Sequence, residues 1–163
     1  MEKHGHIVAV CTSHAGGVPK IPRDMVTVAE FGLASDYHCK PIRRSFTFPY
    51  LPKPNTDRHI TIVGEEALEA MNQKLGIALR PGDLAENILT RGLGDLSDVP
   101  DGAEVRIFNI HFRVVKQNEP CKNLVPYHPQ LVKEIHGKRG LLCAVLAGVG
   151  SMIEPRDPIT IRW

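Results

Sequence analysis

The sequence predicts a mostly β fold, a mainly antiparallel β-barrel that carries a few short helices. Short runs rich in apolar and β-branched residues recur along the chain and are separated by glycine- and proline-containing turns. Only residues 64–75 and 130–136 have the apolar spacing of a helix. Because most of the strands follow one another directly, the pattern indicates hairpins rather than the alternating strand–helix units of a parallel sheet.

Each element has its own local signal. Gly64 to Leu75 places Leu68 and Met71 on one helical face, and Gly76 ends the helix. Pro129 suits the first turn of the second helix, and Gly137 its end. Asn109 is expected at the turn of a hairpin, since asparagine tolerates the left-handed conformation. The expected strands are residues 6–12, 25–31, 58–63, a pair within 104–116, 141–147 and 157–163.

Composition limits the classes of function. The 163 residues are expected to form a single domain, 1–163, and the net charge of +2 favours neither nucleic-acid nor membrane binding. Four cysteines without a C-x-x-C pair argue against an Fe–S cluster or a zinc ribbon, and no glycine-rich fingerprint for flavin or NAD is present. With neither a signal peptide nor a membrane span recognisable, a cytoplasmic location is expected.

Cys121 is the leading candidate for the centre of a site. It follows a strongly alternating strand, stands between Pro120 and Lys122, and has Asn123 close by. The proline fixes the local backbone, and the lysine charge favours a thiolate, the form that binds metals and attacks electrophiles. The alternative is that Cys121 is a small core residue, as most isolated cysteines are.

Three further polar stretches are candidates. Asp36 and His38 lie in a turn after Gly32, where they could orient a ligand or cap the turn. Arg43 and Arg44 lie in a proline-rich segment, residues 40–54, which is expected to be a loop. They could grip a phosphate or form a solvated face. Finally, Glu86 and Asn87 could hold a buried loop or read the edge of a heterocycle.

In their order along the chain, several motifs resemble one known family. Residues 32–38 resemble an early G-(x)-G-D-x-H turn, and residues 81–88 are similar to P-G-x-x-x-E-N-I. Pro120-Cys121 resembles a signature P-C, and Arg139-Gly140 the start of an R-G segment. Together they resemble the MOSC domain, named for the C-terminal domain of molybdenum-cofactor sulfurase, and especially its stand-alone bacterial and archaeal members.

The sequence departs from this family pattern at three places. Ser35 stands where glycine usually precedes the aspartate, and Cys39-Lys40 replaces a small-residue step after the histidine. Arg156 stands where a G-D turn is usual near the C-terminus. The first two departures concern the conformation of the early loop, and the third concerns a distal turn.

The resemblance implies a barrel of the pyruvate-kinase-barrel type with a pocket for the molybdenum cofactor (molybdopterin). Cys121 would ligate molybdenum, Glu86 and Asn87 would face the pterin edge, and His38 or Asp36 would deliver a proton. The basic or amide side chains expected to hold the cofactor, chiefly its phosphate, are Arg43, Arg44, Arg58, Lys122, Asn123 and Arg139.

The resemblance also implies a reaction. Enzymatic members of the family reduce N-hydroxylated small molecules, such as hydroxylamines and amidoximes, by oxygen transfer to the cysteine-ligated molybdenum. Since the chain shows no electron-carrying motif of its own, a separate electron-donor protein is expected. Two alternatives stay open. The first is a sulfur carrier or cofactor-handling protein, in which Cys121 carries a persulfide supplied by an external cysteine desulfurase or only holds the cofactor in transit. The second is a non-catalytic binding module in which Cys121 is structural.

Overall fold

A computed structural model of the chain describes residues 1–45 and 47–163. Its two α-helices are α1 (Glu65–Leu75) and α2 (Leu131–Glu134), and a single 3₁₀ turn spans Lys122–Leu124. The strands are β1 (Glu2–Thr12), β2 (Ile21–Arg23), β3 (Val26–Ala29), β4 (Gly32–Leu33), β5 (Ile42–Arg44), β6 (Pro52–Pro54), β7 (Ile60–Gly64), β8 (Ile88–Arg91), β9 (Glu104–Ile107), β10 (Ile110–Gln117), β11 (Leu141–Ala147), β12 (Met152–Ile153) and β13 (Pro158–Arg162).

Seven of these strands close into a barrel, which confirms the predicted fold class. Their order is β13, β9, β10, β11, β7, β8 and β1, and β1 pairs back with β13 to complete the circle. The closing register runs from Glu2 opposite Arg162 to His6 opposite Pro158. Closure gives every barrel strand two neighbours, so the backbone hydrogen bonds of the barrel are satisfied internally.

The apolar side chains form two clusters. The first fills the barrel and includes Phe112 and Cys143, and the second lies between the barrel and the helices and includes Cys11 and Met71. Burial raises the pKa of the Cys143 thiol and raises that of Cys11 to about 12. Both thiols therefore stay protonated at neutral pH and serve as small core groups.

Helix α1 confirms the clearest prediction from the sequence. It buries Leu68 and Met71 and ends at Gly76, whose φ of 65° is the left-handed conformation that favours glycine. The helix joins β7 to β8, which pair in parallel, with Ile62 opposite Ile88. Strand β8 was not predicted, because a four-residue run after a polar loop carries little periodic signal. It makes the barrel mixed, although its other pairings are antiparallel.

Two local predictions were wrong. The segment 40–54, expected to be a loop, contains the two-stranded β5–β6 pair, with Arg44 opposite Pro52. Proline is tolerated there because this small pair lies outside the barrel sheet. In the hairpin between β9 and β10, Phe108 adopts the positive φ of 51° that was expected of Asn109.

Two departures from the family pattern occupy left-handed backbone positions. Ser35 has a φ of 67° and Arg156 a φ of 81°. Glycine adopts these angles without strain, whereas other residues do so at a cost. No helix among the described residues is long and apolar enough to span a membrane.

Candidate functional site

Cys121 lies in the loop that follows β10. The loop is held at its start, where the Asn118 N–H donates to the Gly140 carbonyl over 2.8 Å. It is held again after the cysteine, where the Leu124 N–H donates to the Cys121 carbonyl over 3.1 Å. The Cys121 backbone is extended, with a φ of −130°, and its side chain is half-buried. The thiol is thus accessible on a loop fixed at both ends.

Arg139 fixes the same loop from inside the protein. Its Nη1 donates to the Glu119 carbonyl at 2.6 Å, and its Nη2 donates to the Leu84 carbonyl at 3.0 Å. The residue is 6% exposed, and its Nε is buried without a hydrogen-bond partner among the described residues. Arg139 therefore ties the Cys121 loop to the 80–87 loop and keeps one buried donor unused.

Gly140, the neighbour of Arg139, is required by a close backbone approach. A Cβ on this residue would lie 2.0 Å from the Ile62 carbonyl oxygen of β7, and its φ is 78°. Any larger residue would push Arg139 and the start of β11 away from the neighbouring strand β7. In the Arg139-Gly140 motif, the arginine therefore holds two loops together, and the glycine allows the chain to lie close to β7.

Glu86 and Asn87 hold the backbone together. The Glu86 carboxylate accepts hydrogen bonds from the Gly82 N–H at 2.6 Å and the Leu84 N–H at 3.1 Å. Asn87 Oδ1 accepts from the Thr61 N–H at 3.1 Å. Burial raises the pKa of Glu86 to about 7, although the hydrogen bonds from the backbone act against it. These contacts shape the 80–87 loop, and contact of either side chain with a pterin stays a prediction.

Gly82 explains why the same motif contains glycine. Its φ is 95°, and a Cβ there would lie 1.9 Å from the carbonyl oxygen of Lys20. The Lys20 N–H in turn donates to the Gly82 carbonyl over 2.9 Å. The close contact fixes the backbone of Lys20. The motif that contains Gly82 therefore also helps to position the Lys20 side chain.

Lys20 forms a buried ion pair with Asp36. Lys20 Nζ lies 3.0 Å from Asp36 Oδ2, and the side chains are 3% and 0% exposed. Asp36 also accepts hydrogen bonds from the N–H groups of Ser13 and His38, at 3.1 and 3.2 Å. Burial lowers the pKa of Lys20, and the Asp36 charge opposes that shift. The carboxylate therefore organises the turn, and proton delivery by Asp36 stays a prediction.

His38 is half-buried beside this ion pair. Burial, followed by the Lys20 charge, lowers its pKa to about 4, against the opposing effect of Asp36. The imidazole is therefore neutral at neutral pH, with one N–H donor and one acceptor nitrogen. The backbone carbonyl of His38 accepts a hydrogen bond from Asn55 Nδ2 at 3.2 Å. His38 is consequently a weakly basic group, and its catalytic role stays a prediction.

Asn55 is a buried amide that sequence reasoning missed. Its Nδ2 lies 3.0 Å from the Lys40 carbonyl and 3.3 Å from the Arg58 carbonyl, besides the His38 contact. Its Oδ1 accepts from the Arg58 N–H at 3.1 Å. One side chain thus joins the early loop to the start of β7. An isolated asparagine in a proline-rich stretch carries no sequence signal for such a contact.

Arg58 is a cation that interacts electrostatically with Cys121. Burial is the main reason that the pKa of Arg58 is lowered, and Arg43 and Arg139 lower it further. Asp57 and Cys121 act in the opposite direction, so the Cys121 thiol lies within electrostatic reach of Arg58. The sequence assigned this role to Lys122, whose side chain is exposed in the 3₁₀ turn.

A positively charged cleft begins at Arg58. Its volume is about 210 Å³. Four of the residues that line it are cationic and one carries a carboxylate; the lining is Arg43, Ser45, Thr47, Lys53, Asp57, Arg58, Lys116 and Leu142. Arg43 makes a two-pronged contact with Asp57, with Nη2 at 2.7 and 2.8 Å from its carboxylate oxygens. The excess of positive charge favours an anionic group.

The remaining predicted residues lie at the edge of this region. Arg44 is exposed on β5, and Asn123 is exposed in the 3₁₀ turn. A Cβ on Gly17 would lie 3.8 Å from Asn123 Nδ2, so the loop after β1 borders the Cys121 turn. The described contacts thus connect some of the predicted residues to one another, and the ligand roles of Arg44 and Asn123 stay predictions.

The donor set fits a metal that brings ligands of its own. No group of three His, Cys, Asp or Glu side chains that could hold a bare ion occurs in the part of the chain that the structure describes. A single accessible thiol such as Cys121 instead suits a soft metal whose other ligands come from a bound organic group. The Cys121 thiol, the nearby cations and the unused Arg139 Nε together fit an anionic cofactor of this kind.

Comparison with known proteins gives the class. The MOSC domain model matches residues 34–160 of the 163-residue chain, so the chain belongs to the MOSC domain family. This family is associated with binding of the molybdenum cofactor. A comparison with curated proteins finds no match.

Solved structures show the same fold. The YuaD protein from Bacillus subtilis has a TM-score of 0.86 at 18% identity, covering 99% of this chain and 97% of that one. YiiM from Escherichia coli has a TM-score of 0.67 at 22% identity, covering 97% and 69%. YiiM from Geobacillus stearothermophilus has a TM-score of 0.67 at 21% identity, covering 96% and 74%.

Proposed function

We propose that this protein binds the molybdenum cofactor through Cys121 and reduces N-hydroxylated small molecules. The observation that carries the proposal is the setting of the thiol. Cys121 is accessible, lies within electrostatic reach of Arg58, and stands on a loop clamped by Arg139. A thiolate is a soft ligand for a metal, and guanidinium groups bind phosphate through charge-assisted hydrogen bonds.

The residues divide into those that bind and those that position. Cys121 would ligate the metal, and the buried Nε of Arg139 would donate to an oxygen of the cofactor. Arg58 and the cleft next to it would attract the phosphate. Asp36, Lys20 and Asn55 hold the backbone around His38 through the contacts described above. These positioning contacts are buried, so they fix the site before any ligand binds.

The reaction needs two electrons and two protons to convert an N-hydroxyl compound into the reduced nitrogen compound and water. When bound, the cofactor supplies the two-electron chemistry that removes the oxygen. His38, neutral at neutral pH, would pass its ring N–H proton to the leaving nitrogen while its other ring nitrogen takes up a proton from water, so the ring would act as a relay. The electrons would come from a separate donor protein, since the sequence carries no flavin, NAD or cluster motif.

The first test is the cofactor content of the protein made in a cofactor-replete host. Molybdenum and pterin are measured in the parent, in Cys121→Ser and in the matched control Cys39→Ser, since Cys39 is also half-buried. Stoichiometric molybdenum in the parent and in Cys39→Ser, with loss in Cys121→Ser, supports the ligand role. Equal molybdenum in all three proteins overturns it.

The second test is turnover of the loaded protein with a chemical reductant and an N-hydroxylated base or an amidoxime. Reduction that disappears in Cys121→Ser supports the activity, whereas bound molybdenum without reduction overturns it. A protein without molybdenum that gains the mass of one sulfur atom at Cys121, after incubation with a cysteine desulfurase, would instead be a sulfur carrier. A protein that shows neither reduction nor the added sulfur atom would fit the binding-module alternative.

A further inference from the structure

The β5–β6 pair and the described part of its connection, residues 42–45 and 47–54, form a ribbon outside the barrel that exposes several apolar side chains. Ile42, Phe48, Tyr50 and Leu51 are 57%, 84%, 57% and 61% exposed. The rings of Phe48 and Tyr50 meet edge to face, with centroids 6.1 Å apart. The two rings contact each other, but all four side chains leave most of their apolar area in water, which is costly unless a partner covers it.

The charge of this region has one sign. Between Asp36 and Asp57 the sequence contains no acidic residue, whereas Lys40, Arg43, Arg44 and Lys53 are basic. Arg44 and Lys53 are exposed on the two strands of the ribbon. An apolar patch with a cationic rim is complementary to a surface that has an apolar centre and carboxylates around it.

The ribbon also lies beside the site. Arg43 and Lys53, on its two strands, line the cleft that begins at Arg58, and Arg58 is within electrostatic reach of Cys121. Four exposed apolar side chains are few for an interface, which suits a transient redox complex better than a permanent assembly. A protein that docks on the ribbon would therefore stand next to the reaction centre and could leave again quickly.

We infer that the ribbon is the docking surface for a small acidic electron-transfer protein that supplies the reaction. The inference rests on the proposed function, which requires an external donor of two electrons. The cationic rim would accelerate encounter with an acidic carrier, and the apolar tip would hold the complex in one orientation. Phe48, the most exposed of the four apolar side chains, would make the central contact.

The test uses the cofactor-loaded protein with two reductants in parallel. Reduced methyl viologen needs no docking surface, whereas a reduced flavodoxin or ferredoxin is a small acidic carrier. In Phe48→Ser/Leu51→Ser, turnover with the carrier should fall about tenfold or more, the effect of losing about 1.4 kcal/mol of binding. Turnover with methyl viologen should stay unchanged. Added salt should slow the carrier reaction of the parent, because it screens the charges.

The matched control is Leu146→Ser/Val149→Ser. These residues are 57% and 61% exposed, against 84% and 61% for Phe48 and Leu51, and they lie towards the other end of β11 from the Cys121 loop. The control variant should keep both activities. Equal carrier-driven turnover in the ribbon variant and the control would overturn the inference.

A binding measurement separates this inference from the proposed function. The metal-free protein is titrated with the oxidised carrier and followed by NMR. Shifts at residues 42–54 that are lost in Phe48→Ser/Leu51→Ser and weakened in Arg44→Glu support docking even if no substrate is reduced. Binding to anionic lipid vesicles through Phe48, with no binding of the carrier, would contradict docking and assign the ribbon to a membrane surface.

Discussion

The Lys20 ammonium lies 3.0 Å from the Asp36 carboxylate, and hardly any of either side chain reaches solvent. The two residues come from different loops, and the pair fixes the turn that carries His38. Each charge is tolerated in the interior because the other is present. Removing one residue of the pair should therefore lower the free energy of unfolding, because the other charge stays buried without a partner.

Lys20→Met should destabilise the protein by about 3–5 kcal/mol at neutral pH, because it leaves the Asp36 carboxylate buried without a counter-charge. Urea unfolding measures the change. Arg162→Gln serves as the surface control, since its contact with Glu2 involves side chains that are 68% and 39% exposed. That change should cost less than about 1 kcal/mol. Similar losses in both variants would show that the buried pair is not special.

Gly82→Ala should be far more damaging than Gly76→Ala. Both glycines have positive φ, which costs alanine about 1–2 kcal/mol. Only at Gly82 would the new Cβ also meet backbone, the Lys20 carbonyl oxygen at 1.9 Å. We expect about 2–5 kcal/mol of destabilisation at Gly82 in denaturant unfolding, of which about 1–3 kcal/mol comes from overpacking. Equal effects at the two positions would contradict the close approach.

Ser35→Gly should stabilise the protein by about 0.5–1 kcal/mol. Relief of the left-handed strain at φ 67° is worth about 1–2 kcal/mol, and the added freedom of the unfolded chain takes back about 0.4–1 kcal/mol. Ala34→Gly, at a neighbouring position without positive φ, should instead destabilise. Thermal unfolding of the two variants measures both signs, and a loss of stability in Ser35→Gly would refute the assignment of strain.

Stability should fall in mildly acidic solution because of His38. Its pKa is about 4 in the folded protein and 6.5 in an ordinary environment. Between these values the unfolded chain binds a proton that the folded protein does not, so the free energy of unfolding drops as the pH falls from 6.5 towards 4. The slope contributed by one histidine approaches about 1.4 kcal/mol per pH unit.

His38→Asn should remove that part of the slope while leaving the other titrating groups in place. Urea unfolding at several pH values between 4 and 7 measures the difference between parent and variant, and NMR titration of the His38 ring gives its pKa directly. Identical slopes in the two proteins would mean that the imidazole is solvated rather than buried.

The sequence was sufficient for features that depend on near neighbours. Helix α1 was predictable because Leu68, Met71 and Gly76 occupy positions fixed by helical geometry. The β9–β10 hairpin was predictable from alternation, although which of Phe108 and Asn109 would adopt positive φ was not, because turn type depends on strand register. The order of the motifs was enough to recognise the family.

Contacts between distant segments could not be predicted in the same way. Lys20 and Asp36 are separated by 16 residues, and nothing in either local sequence marks them as partners. Arg58 influences Cys121 only because β7 and β10 both border β11 in the sheet. Glu86 and Asn87 were predicted either to hold a buried loop or to face a pterin edge; their hydrogen bonds to the Gly82 and Thr61 N–H groups show the first role, and the second stays a prediction. Such roles follow from the closed barrel, which one-dimensional patterns do not encode.

The position of Asn55 makes the ribbon a separable module. The Asn55 N–H donates to the Pro41 carbonyl at 2.8 Å, and its side chain joins the residues on both sides of the excursion, so the ribbon starts and ends at one fixed point. Its length and surface can change in evolution without moving His38 or Arg58. Residues 48–51 at the tip of the ribbon can therefore diverge while Arg43 and Lys53 keep their places in the cleft.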